Sequence, residues 1–113
     1  MSKKTKLFPH TIIEEINKRP PYQYGSVAES YSGLEVTWKL TFFTLDKKQD
    51  GKLLVTLRET EEFPSVLILS EVNESEYPEL KTMNKGETVT INGIINTAKA
   101  YGSITLIKCK LSF

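Results

Sequence analysis

From Leu34 to Phe42 the chain places a large apolar residue at every second position: Leu34, Val36, Trp38, Leu40 and Phe42. Glu35, Thr37, Lys39 and Thr41 stand between them. A period of two makes this a strand with one buried face and one wet face. Phe43 breaks the alternation by putting an aromatic ring on the wet side. Continued to Leu45, the run is about 40 Å long at about 3.3 Å per residue. A strand that long in a small domain coils and serves two sheets at once, as the central strand of a small barrel does. Trp38, on the apolar side, belongs to the core.

The other elements follow from turn and breaker signals. Asp46 to Gly51 is a polar turn ending in Asp-Gly, a hairpin signal. Residues 52–58 return with Leu53, Val55 and Leu57 on one face. Residues 59–64 form a charged connection, and 65–72 a third, short apolar strand. Pro78-Glu79-Leu80 suits one or two helical turns with proline at the first position. Residues 88–96 form a fourth strand in which Gly93 marks a bulge or bend. Residues 103–113 form a fifth. Before the first strand, Thr11-Ile12-Ile13-Glu14 is a capping box for a helix over 12–19, stopped by Pro20-Pro21. Ser26-Val27-Ala28-Glu29 repeats the pattern for a helix over 27–32, with Gly33 as its terminating residue. Tyr22 and Tyr24 are expected to cover one end of the barrel, and Tyr77 to anchor the short helix. Residues 1–8 read as a mobile basic arm, 9–33 as a helical extension and 34–113 as the barrel, all in one domain.

The fraction of hydrophobic residues, 39%, is enough for one modest core and too high for disorder. The net charge of +1 argues neither for nor against a polyanionic partner. Its distribution says more: residues 59–80 carry seven glutamates and no base, whereas the segments on either side each carry a surplus of four positive charges. The single cysteine, Cys109, excludes an internal disulfide and a multi-cysteine zinc site, and with Lys108 and Lys110 beside it alternating with Ile107 and Leu111 it reads as a buried structural thiol. The only histidine, His10, flanks a helix and has no triad or metal partners in the pattern. Glycine-rich phosphate loops are absent. No catalytic residue, metal or cofactor is expected, and the chain reads as a non-enzyme. Met1 to Phe8 lacks the apolar stretch of a signal peptide and no run has transmembrane length, so the expected location is the cytoplasm, with no membrane partner.

The order of strands and short helix resembles the OB fold, a mainly β, five-stranded Greek-key barrel with a short helix between the third and fourth strands. The resemblance covers about residues 33–113. It is most specific at Lys85-Gly86-Glu87-Thr88-Val89-Thr90-Ile91-Asn92-Gly93-Ile94-Ile95 followed by Ile104-Thr105-Leu106, similar to the ending of many OB domains, including the bacterial tRNA-anti-like group. The two N-terminal helices lie outside the usual OB core.

OB domains that hold single-stranded DNA or RNA do so across strands two and three, flanked by the one–two and four–five loops. The resemblance therefore implies Lys47, Lys48, Lys52 and Arg58, and Lys99 with Tyr101, as candidate contacts. Lys39 and Phe43 on the outward face of the first strand extend the platform. Lysine supplies charge for phosphates, and an exposed Tyr or Phe stacks on a base for roughly 1–3 kcal/mol. The acidic 59–79 region opposes this, because uncompensated carboxylates repel a polyanion. It supports the alternative of a protein-interaction domain docking through that region.

Overall fold

The computed structural model describes residues 8–59, 66–99 and 102–113. Five strands close into a barrel: β1 (Glu35–Lys47), β2 (Lys52–Arg58), β3 (Leu67–Asn73), β4 (Thr88–Lys99) and β5 (Ser103–Ser112). Around the barrel their order is β1-β2-β3-β5-β4, with β4 returning to β1. β1 serves two partners, as its length predicts. Its first half pairs with β4 from Glu35↔Ile94 to Thr41↔Thr88, and its second half with β2 from Thr41↔Arg58 to Lys47↔Leu53. All neighbours are antiparallel except β3 and β5.

Four of the five alternating residues point where their period puts them; Leu34 stands just before β1 and is exposed. Val36, Trp38, Leu40 and Phe42 are buried, and Leu53, Val55 and Leu57 meet them from β2. Trp38 is 6% exposed. Asp50 and Gly51 turn the β1–β2 hairpin with positive φ at both residues (66° and 70°), the conformation for which Asp-Gly is selected.

Three irregularities shape the wall. Phe43 is an extra residue in β1, lying between the Phe42↔Leu57 and Thr44↔Thr56 pairs. Lys108 and Cys109 together oppose Gly93, since Asn92 pairs with Lys110 and Ile94 with Ile107. Lys108 takes φ 53° there. Asn96 is an extra residue in β4, so the strand continues to Lys99 rather than ending at 96. Each bulge sharpens the bend that closure needs.

The barrel ends are plugged by helical turns. Between β3 and β4 these are two short 3-10 helices, Glu74–Glu76 and Pro78–Thr82, the second burying Leu80. Tyr77, between them, accepts the Leu111 N–H on its hydroxyl (3.2 Å), which fixes this segment to β5. The N-terminal helices start earlier than the capping patterns suggest. Helix α1 is Pro9–Asn17, with Pro9 in the first turn, and it buries Ile12, Ile13 and Ile16. Its N-cap is Phe8, which gives no side-chain cap. The carboxylate of Glu59, at the end of β2, does that work: it accepts the His10 N–H (3.0 Å) and the His10 Nδ1 (2.5 Å). An acid delivered by the barrel therefore replaces the Thr11 box, and its charge suits the positive end of the helix. Helix α2 is Tyr24–Glu29, preceded by a 3-10 turn that Pro21 opens, and Ser26 lies inside it rather than at its cap. Gly33 does adopt positive φ, 89°, but in the turn into β1, where its N–H donates to the Ile95 carbonyl (2.8 Å). Tyr24 packs on the core, whereas Tyr22 is 83% exposed and covers nothing.

Candidate functional site

The bulge at Phe43 gives this wall its most distinctive side-chain cluster. Phe42 keeps its ring in the core, so the inserted residue turns its own ring outward, where it is half-buried. Arg58, at the end of β2, pairs with Thr41, and the Thr41 hydroxyl donates to the Arg58 carbonyl (3.2 Å). That register lays the Arg58 guanidinium over the Phe43 ring, 4.3 Å from its centre. A third segment closes in from the turn before β4. The Gly86 N–H donates to the Phe42 carbonyl (2.9 Å) and the Phe42 N–H to the Glu87 carbonyl (2.8 Å). The Lys85 ammonium thereby stands 5.2 Å from the Phe43 ring centre. The Glu87 carboxylate next to it is engaged by the Asn84 N–H (2.9 Å).

Two cations thus share one aromatic ring. Each such contact contributes about 0.5–1 kcal/mol at an exposed site and about 2 kcal/mol when desolvated. Contact with the ring leaves the guanidinium partly stripped of water. Its Nε is shut off from solvent and has no hydrogen-bond partner among the described residues. A buried donor left unpaired costs about 1–3 kcal/mol. Among the described residues no carboxylate forms an ion pair with Arg58, Lys85 or Lys39.

The β1–β2 loop is built differently. Lys48 meets Glu71 at 2.8 Å, Lys52 meets the same carboxylate at 3.4 Å, and Lys47 meets Glu74 at 3.8 Å. Lys81 makes a further close ion pair with Glu74. The lysine hydrogen bonds hold both carboxyls below the usual carboxylate range, Glu71 through Lys48 and Glu74 through Lys81. The acidic segment therefore folds over the loop lysines and neutralises them, instead of forming a separate surface. Of its other described members, Glu59 is taken by α1, while Glu76 and Glu79 are exposed.

The remaining candidates are scattered. Lys39 is exposed two residues before Thr41, on the same outward face as Arg58. Lys99 is exposed at the far end of β4. Tyr101 lies outside the described residues. Lys85 is a functional candidate that the sequence pattern does not single out, because it enters there only as the first residue of the OB-like ending. Its signal is the glycine, whose φ of 95° directs the turn back against β1.

Two other groups were candidates for chemistry. Cys109 is half-buried, and burial raises its thiol pKa against a weak opposing effect of the Ser70 hydroxyl, so it favours the unreactive protonated form. Among the described residues no three His, Cys, Asp or Glu side chains converge as a metal site would require.

No family model matches the chain, and no curated protein matches its sequence. Solved structures do match its shape. A lipoprotein of Klebsiella pneumoniae subsp. pneumoniae MGH 78578, provisionally described as nucleic acid-binding, superposes with a TM-score of 0.65 at 14% identity, over 92% of this chain and 87% of that one. The fold is of the OB type. Asparaginyl-tRNA synthetase from Pyrococcus horikoshii superposes with a TM-score of 0.51 at 16% identity, over 79% of this chain but only 21% of the enzyme. At these identities the likeness speaks for the OB barrel alone.

Proposed function

We propose that this OB barrel is a binding module for single-stranded nucleic acid, with Phe43, Arg58 and Lys85 as the centre of its contact surface. The observation that carries the reading is the pair of cations on one outward aromatic ring, neither ion-paired with a described carboxylate. A planar guanidinium can offer its edge to a phosphate in bidentate fashion and a face to a base. Lys85 adds a second phosphate contact, and Lys39 extends the charge along β1. The two structural relatives support the reading by what they are: one is provisionally described as nucleic acid-binding and the other is a tRNA synthetase.

Docking of a protein on the acidic segment has less support. Glu59, Glu71 and Glu74 are engaged by His10 and by lysines of this chain, which withdraws three of the segment's five described acids from a cationic partner.

The test is a fluorescence-anisotropy titration with labelled oligothymidylate and oligouridylate at low and moderate salt. Saturable binding is expected, with affinity falling as salt rises. Arg58→Lys keeps the charge but loses the planar stack, so it should weaken binding while leaving the salt slope nearly unchanged. Absence of saturable binding to either probe at low salt, where electrostatics act at longest range, overturns the proposal.

A further inference from the structure

Resting on that reading, we infer that the nucleic-acid backbone runs diagonally over the outer wall of β1, β4 and β5, from Arg58 through Lys39 to Lys110, and not toward the β1–β2 loop. The strand register sets this path. Arg58 sits opposite Thr41, Lys39 opposite Thr90 and Thr90 opposite Ser112, while Thr37 leads through Asn92 to Lys110. The cations therefore advance two residues along β1 at each step while moving across the sheet. With about 4.8 Å between strands and 3.3 Å per residue, Arg58 and Lys39 are about 8 Å apart at their backbones, and Lys39 and Lys110 about 12 Å. A stacked single strand carries one phosphate per about 3.4 Å. A stripe of about 20 Å spans roughly six of them, within the range of about 4–16 nucleotides held by OB domains.

The chemistry of the wall agrees. Between the cations the outward positions are hydroxyls and an amide: Thr37, Thr41, Thr88, Thr90, Ser112 and Asn92. These groups hydrogen-bond phosphate and sugar oxygens without reading sequence. The helices leave this part open. The turn that follows α2 meets β4 beyond the stripe, with Gly33 and Leu34 bonded to the Ile95 backbone and the Ser32 hydroxyl donating to the Asn96 carbonyl. Lys39, Lys110, Thr37, Thr88 and Ser112 are all exposed. Acids bound the path but do not lie on it. Glu35 borders the far end of the path, where the Asn92 amide donates to its carboxylate (3.1 Å). On the other side, a cleft lined by Glu79, Glu87 and Phe113 borders Thr88. Repulsion from both sides favours the diagonal between them. The opposite corner has its lysines already paired with Glu71 and Glu74, so a phosphate arriving there must displace a carboxylate.

The test compares two double variants in the anisotropy titration, again with labelled oligothymidylate and oligouridylate. Lys39→Gln with Lys110→Gln should reduce the magnitude of the log–log salt slope by about 1.4, since each phosphate contact of a single strand contributes about 0.7. Lys47→Gln with Lys48→Gln should leave the slope near that of the unmutated protein. All four lysines are exposed, and unchanged melting temperatures will show that the fold is intact. If the unmutated protein binds but the Lys39/Lys110 variant keeps its slope, the path is wrong while the binding function stands. The path is equally wrong if the Lys47/Lys48 variant takes the loss instead. If the unmutated protein binds neither probe, the function and the path fail together.

Discussion

Replacing Gly93 by alanine tests how closely β4 and β5 approach where the barrel bends. A Cβ built on Gly93 would lie 3.1 Å from Cys109 Sγ, 3.3 Å from the Ile107 carbonyl oxygen and 3.3 Å from Leu106 Cβ. All three distances are tighter than ordinary contact, and one of the atoms is backbone, so the strands must part by a few tenths of an ångström. Overpacking of this kind costs about 1–3 kcal/mol. Against it, alanine restricts the unfolded chain and returns about 0.4–1 kcal/mol. Sterics win, and the net loss should be about 1–2 kcal/mol. In a domain of this size that is a fall in Tm of roughly 4–8 °C. The nearest atom is a thiol, so Cys109→Ala should relieve part of the clash and leave the carbonyl contact in place. Urea unfolding of the two single variants and the double variant gives the coupling directly, expected to be at least about 0.5 kcal/mol in the relieving direction. A Gly93→Ala protein as stable as the parent would show that the bulge does not bring the strands together as described.

Three further outcomes follow from the same structure. Trp38→Ala should cost about 3–5 kcal/mol in urea unfolding through lost burial and a cavity, and a loss under about 1 kcal/mol would contradict the placement of the ring in the core. Hydrogen bonding to Glu59 raises the His10 pKa above 6.5. The stabilisation from this pair is therefore full below about pH 6.5 and is lost as pH rises through the folded-state value, so the Tm gap between the parent and His10→Gln should shrink on going alkaline. A gap that is flat or that widens would refute it. Glu71→Gln with Glu74→Gln releases Lys47, Lys48 and Lys52 and should steepen the salt dependence of oligonucleotide binding, whereas an unchanged slope would mean that those carboxylates do not mask the lysines.

Much of the barrel is legible in the sequence because its strands have one wet and one dry face. The bounds expected for β2 agree with those found, Lys52–Arg58, and those of β5 differ by one residue. Legibility fails where a tertiary contact overrides a local pattern. The Thr11 and Ser26 boxes are valid local signals, but Glu59 reaches α1 from the barrel and Pro21 starts the turn that leads into α2. β4 outruns its expected end because the extra residue Asn96 resets the alternation and lets Ala98 point inward. The candidate site was readable only in pieces. Phe43 announced itself as an aromatic out of phase, and Arg58 as a terminal charge. That they stack, and that Lys85 joins them, depends on register and on a turn folding back, which no single segment encodes. The pairing of Lys48 and Lys52 with Glu71 has the same origin: Leu54 lies opposite Glu71 only once β2 and β3 are aligned.

The central claim is that nucleic acid is held at the Phe43, Arg58 and Lys85 cluster. Mapping amide chemical shifts of the isotope-labelled protein during an oligothymidylate titration at low salt tests it most directly. Saturable shifts are expected, largest at Thr41, Phe43, Arg58, Lys85 and Thr88 and continuing through Lys39 and Thr90, with little movement at residues 47–52 and 71–76. Shifts confined to the β1–β2 loop and Glu71, or no shifts at any oligonucleotide concentration, would contradict it.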